Sequence, residues 1–159
     1  MIFIVLLLST ANHCNFAHRQ DKFAMAGVLS DGKIESYYNC LQDYLLFRLH
    51  HKLSDFHYDY HVNGAVMKLF DTHRQWPLSV RRQLHKIAEE LFLEGYDAFR
   101  GFIHPLSVKG TLSEGNLLTT FYVCVHVAKY YALRGEYFAV QQMIFDVKSE
   151  MDKLGWLQS

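Results

Sequence analysis

"NLLTTFYVCVHVAKYYAL", residues 116–133, decides how this chain folds. Lys129 is the only charged residue in its eighteen positions, so a helix built from it has no fully polar face. A helix that is apolar all round must be enclosed by other elements or by lipid. Threonine, histidine and lysine interrupt this one too often for a membrane span, which needs about twenty predominantly apolar residues. The stretch is therefore expected to be the buried centre of a bundle.

The segments on either side are expected to wrap it. In "QLHKIAEELFLEGYDAFRGFI", residues 83–103, Leu84, Ile87, Ala88, Leu91 and Phe92 recur at helical spacing. They form one apolar stripe, which ends near Glu94 at Gly95, and "YDAFRGFI" then resumes for a turn or two. Ser79 is a candidate cap for its start. "ESYYNCLQDYLLFRLHHKLSDF", residues 35–56, places Tyr38, Leu41, Tyr44, Leu45 and Leu49 on one face. Ser36 is its candidate cap, and Arg48 and Lys52 are expected to snorkel to solvent. "AVMKLFDTHRQW", residues 65–76, follows Asn63-Gly64 and closes before Pro77, which disfavours helical geometry at Trp76. Residues 135–156 repeat Tyr137, Val140, Ile144, Val147, Met151 and Leu154 by threes and fours. "HPLSVKGTLSEG", residues 104–115, reads as a loop.

Composition agrees and narrows the function. The 159 residues are half hydrophobic, with two prolines and nine glycines, which suits one helical domain. Sixteen basic residues balance sixteen acidic ones, so no net field favours nucleic acid or anionic lipid. Cys14, Cys40 and Cys124 are odd in number and widely spaced, which fits a reducing compartment better than a disulfide scaffold. Residues 1–34 read as a hydrophobic segment and a mobile arm before a helical domain at 35–159. The opening "MIFIVLLLSTANHCNF" lacks the basic start of a secretory signal; a cleaved signal is its alternative reading.

Ten histidines raise the question of a metal. His57 and His61 stand four apart, but no third ligand shows zinc-site spacing. Cys124 reads as a small buried hydrophobe. Asp71 and His73 have no nucleophile beside them, and no phosphate-binding glycine loop or nucleophile elbow occurs. The expectation is a non-enzyme without cofactor or metal.

Two motifs carry a resemblance. "LHHKLSDFHYDY", residues 49–60, resembles the N-terminal homology segment of the Bcl-2 family of apoptosis regulators. "LHKIAEELFLEGYDAFRGFI", residues 84–103, is similar to that family's third homology motif and the helix after it. Leu84 then stands for the motif leucine, Ala88 for its small residue, Glu89 for its acid, and "AFRGFI" for the groove-lining Ala-Phe pair. A competing alignment sets "EELFLEGYDAFR" before the first homology motif and makes Arg100 the family's ligand-binding arginine. His104-Pro105 and Gly110 follow Arg100 and cannot begin the central helix, so the first alignment is favoured. "SEGN" then occupies the place of N-W-G-R, with Glu114 for the tryptophan and Asn116 for the arginine. "LLTTFYVCVHVAK" looks like the family's central helix, and Gly155-Trp156 like a degraded second motif.

The resemblance covers about residues 36–156, with no single motif intact and a shortened stretch between Ile103 and Ser113. It implies an all-α Bcl-2-like bundle of six to eight helices around a central hydrophobic helix, compact like the virus-encoded members. The implied function is pro-survival: inhibition of host apoptosis by sequestering the amphipathic death-motif helix of pro-apoptotic relatives such as Bim, Bak or Bax. The implied groove is lined by Leu84, Ala88, Leu91, Ala98, Phe99, Arg100, Phe102, Asn116, Leu118, Thr119 and Val123. No transmembrane anchor and no nucleic-acid partner are implied, the location is cytoplasmic, and an exposed groove invites a homodimer. A secreted cytokine-like helical ligand is the alternative function. Loss of the arginine predicts weaker or narrower binding, because removing one partner of a buried charge pair costs about 2–5 kcal/mol.

Overall fold

The computed structural model describes residues 31–53, 59–107 and 113–153. Among them are six α-helices, one 3-10 turn and no strand. The helices are α1 (Asp31–Lys52), α2 (Gly64–Gln75), α3 (Leu78–Glu94), α4 (Tyr96–Ile103), α5 (Glu114–Leu133) and α6 (Tyr137–Asp152). The 3-10 turn, His104–Ser107, follows α4 directly. No helix among the described residues is long and apolar enough to cross a membrane.

Helix α5 is the axle that its sequence requires. Every residue from Leu117 to Ala128 is buried, and α1, α2, α3 and α6 all pack against it, α3 most extensively. The two threonines bury without loss because each hydroxyl donates one turn back: Thr119 Oγ1 to the Gly115 carbonyl and Thr120 Oγ1 to the Asn116 carbonyl, both at 2.8 Å. Ser113 caps the helix by accepting from the Asn116 amide at 3.1 Å. Tyr37 and Lys33 of α1 donate to Glu114 at 2.5 and 3.2 Å, tying the starts of α1 and α5 together.

The stripe of α3 is buried at Leu84, Ile87, Ala88 and Leu91, and Phe92 stacks on Tyr130 with ring centres 5.3 Å apart. Gly95 separates α3 from α4. Its φ of 107° and ψ of 172° lie in a region open essentially to glycine alone. Its amide caps the Leu91 and Phe92 carbonyls, and its own carbonyl accepts from Ala98. Thus one residue stops α3 and starts α4.

Four local expectations need correction. Helix α1 begins at Asp31, so residues 31–34 are not part of an arm, and Ser36 lies inside the helix. The buried side chain of Ile34 supplies the reason for the extension. Helix α3 starts at Leu78 with Pro77 in the cap position and no side-chain cap, because proline is already pre-set for a helix start; Ser79 sits in the first turn. Arg48 does not snorkel: it is only 9 % exposed, since Leu46 and Phe47 are buried too and α1 is enclosed on more than one face. Tyr137, expected on the inner face of α6, is exposed, whereas Val140, Met143, Ile144, Val147 and Met151 are buried. Cys14, His57, Leu154, Gly155 and Trp156 lie outside the described residues.

Candidate helix-binding site

The eleven residues singled out for the groove divide sharply. Leu84, Ala88, Leu91, Ala98, Phe99, Phe102, Leu118, Thr119 and Val123 are all buried, none more than 7 % exposed. Asn116 is half-buried and Arg100 is exposed. Eight of the nine belong to the one hydrophobic core, and Thr119 is buried as well. Helix α4 packs against α3, the 3-10 turn and α6, and its Phe99 is completely buried. Large apolar side chains do reach the surface, but elsewhere: Leu93 on α3, and Phe138 and Phe145 on α6.

A short helix of eight residues does not hold its place by propensity. Helix α4 is clamped to α6 by polar contacts around one carboxylate. The Tyr96 hydroxyl donates to Asp146 Oδ2 at 2.5 Å, and Gln142 Nε2 donates to Oδ1 at 3.0 Å. Arg100 reaches the same carboxylate at 3.5 Å and lies over the Tyr96 ring, 5.4 Å from its centre. Burial and the hydrogen bond to Asp146 push the Tyr96 phenol far up, so it remains a donor. His104, just beyond α4, faces Glu150 at 3.8 Å. Arg100 therefore lies on α4 in this clamp, while Asn116 occupies the first turn of α5.

A second polar assembly joins α1, α2 and α5. His73 is fully buried. Its Nε2 lies 2.8 Å from the Leu118 carbonyl, which can only accept, so this nitrogen carries the hydrogen. Nδ1 must then accept, and it does so from the Tyr44 hydroxyl. The Tyr44 oxygen in turn accepts from Arg48 Nη1 at 2.7 Å. Burial pushes the imidazole down to about 3, keeping this relay neutral at His73. Asp71 takes no part; it pairs with Arg74 at 3.2 Å, so the two residues do not form a dyad.

Cys124 is completely buried, and burial pushes its thiol up, which leaves it unreactive. Cys40 is also buried and is pushed up to about 11 by burial. Among the described residues no group of three His, Cys, Asp or Glu side chains is placed to hold a metal ion.

Asp146 and Tyr96 stand fifty positions apart, and no periodicity in the sequence announces their pairing. Arg48 carried a fainter signal, since "LLFRL" surrounds it with large apolar side chains. Compared with known proteins, the chain matches no family model, no curated protein and no solved structure.

Proposed function

We propose that this protein is a pro-survival regulator of the Bcl-2 type, which captures the amphipathic death-motif helix of pro-apoptotic partners such as Bim, Bak or Bax. The observation that carries the reading is the enclosed helix α5, with α3 packed along it and α4 following α3 after Gly95. Two further features support it. Helix α5 starts at Glu114, so Asn116 falls in the position that the favoured alignment gives to the family's arginine. Arg100 lies on a separate helix, which speaks against the competing alignment.

Capture in this reading requires displacement. Helix α4 swings away about Gly95, and the incoming helix replaces Ala98, Phe99 and Phe102 against α3 and α5. The protein performs no chemistry; it holds its partner away from the membrane, acting in the cytoplasm. The test is calorimetry of the purified chain against peptides of the Bim, Bak and Bax death-motif helices. Saturable binding to at least one peptide, competed by another and abolished when the peptide's apolar anchors become alanine, is expected. Absence of binding to all three overturns the reading.

A further inference from the structure

An open cleft of about 350 Å³ lies on the outer side of α3, away from α4. Arg81, Arg82, His85 and Lys86 line it from α3, Tyr122 lines it from α5, and Glu89 is the one acid among its lining residues. The positions recur by threes and fours, so this is the polar face of α3 opposite its buried stripe.

What lies behind this face is unusual. Arg48 is nine-tenths buried, with its guanidinium 5.9 Å from the centre of the Tyr122 ring. Among the described residues no carboxylate pairs with it; its hydrogen bond goes to the neutral Tyr44 hydroxyl. A buried guanidinium lacking a counter-charge is strongly unfavourable. Cation–π contacts with Tyr44, Phe70 and Tyr122 offset only part of that cost.

The neighbouring groups add to the positive field. His85 donates or accepts at Tyr122 across 2.9 Å and is pushed down by burial and by Lys52, Lys129, Arg48 and Arg81 together. Lys52 is pushed down to about 8 by burial, Arg48 and Lys129. Against His85 lies His126, ring centres 3.7 Å apart; its Nε2 is buried with no hydrogen-bond partner among the described residues. Three cations of α3 thus line one cleft with a single acid, and Arg48, Lys52 and Lys129 from two further helices act on its His85, in a chain whose formal net charge is zero.

We infer that this cleft is an anion site that binds a phosphate group, with Arg81, Arg82 and Lys86 contacting it and the buried charge of Arg48 reinforcing the field from below. Planar guanidinium groups suit bidentate recognition of phosphate oxygens. Arg81 is already anchored, since its Nε donates to the Trp76 carbonyl at 3.0 Å, so little order must be added on binding. The cleft lies at the small end of the range for small-molecule sites, which matches a compact phosphorylated molecule; a lipid headgroup offers the same chemistry. The site is distinct from the α4 clamp and does not depend on the trough opening.

The experiment measures binding of inorganic pyrophosphate to the intact protein by calorimetry at low salt. A parallel arm measures sedimentation with phosphatidylcholine vesicles, with and without phosphatidic acid. Saturable pyrophosphate binding is expected, weakened at least about tenfold by Arg81→Gln, the loss of roughly one charge-assisted contact, and strengthened by Glu89→Gln. Arg74→Gln, on α2 and paired with Asp71, serves as the control and leaves binding unchanged. Vesicle binding that needs phosphatidic acid and is lost in Arg81→Gln assigns the phosphate to a lipid headgroup and equally supports the site. No binding in either arm, or binding indifferent to both Arg81→Gln and Glu89→Gln in protein shown to be folded by circular dichroism, overturns it.

Discussion

Acid should destabilise this protein through two buried histidines, beginning above the pH range in which carboxylates ordinarily titrate. Burial pushes His73 down to about 3 and His126 down to about 2, from an ordinary value of 6.5. In the unfolded chain both titrate normally, so between the two values the unfolded state binds more protons. Stability is full above about pH 6.5 and falls as the pH drops through the window down to the folded values. At about pH 5 each histidine contributes a loss of about 2 kcal/mol relative to about pH 7.5, hence about 4 kcal/mol for the pair. That is a large share of the 5–15 kcal/mol typical of a domain.

The two histidines are separable, which makes the reasoning testable. His126 Nε2 has no partner among the described residues, so His126→Leu removes a titrating group without breaking any hydrogen bond they make. Urea denaturation followed by circular dichroism should show that variant at least as stable as the parent at about pH 7.5, with its acid-induced loss reduced to about 2 kcal/mol. His73→Leu also removes one titration but takes away the acceptor of the Tyr44 hydroxyl and a donor to the Leu118 carbonyl, so it should be less stable at both pH values. Equal stability of the parent at the two pH values refutes the argument. So does an acid-induced loss in His126→Leu as large as in the parent.

Three further outcomes follow from the geometry. Tyr44→Phe removes the hydroxyl that joins Arg48 to His73 and should cost about 1–3 kcal/mol, the penalty of leaving buried polar groups unpaired, read as a lower urea midpoint. Gly95→Ala meets no atom within 4 Å, so its cost is backbone strain alone, about 1–3 kcal/mol, visible as a lower melting temperature. Asp146→Ala frees the clamp on α4 and should speed amide hydrogen exchange across residues 96–103 while leaving α5 protected.

The fold could be read from the sequence where burial is one-sided or total. The nearly uncharged run at 116–133 has no polar face to leave outside and calls for enclosure, and the stripe of α3 has a period that a helix satisfies. Reading failed where a residue's fate depends on distant partners. Arg48 reads as a snorkelling side chain because one face of α1 accounts for the obvious leucines; Leu46 and Phe47 beside it are buried too, and both Phe47 and Arg48 lie against Phe70 of α2. The groove residues were apolar and helically spaced whether they line a trough or fill a core. Periodicity reports that a side chain is buried, not which chain buries it. Phe99 is the instructive case, since its sequence signal is the same under either arrangement.

That ambiguity sets the energetics of any helix capture. An incoming helix with four large apolar anchors gains about 1.5–3 kcal/mol for each one buried. Lifting α4 returns Phe99, Phe102 and Ile103 to water, all three now at most 6 % exposed, at about the same cost per side chain. The two terms nearly cancel, so the advantage of a foreign helix rests on what remains: its fourth anchor and whatever replaces the contacts around Asp146. A clamp of this kind therefore does more than stabilise the closed form. In the proposed capture it would set the threshold that a partner helix must exceed, and weakening it at Asp146 should then raise affinity for every partner in the same proportion. An altered order of preference among partners would instead require the side chains of α3 and α5, which stay in place in that proposal.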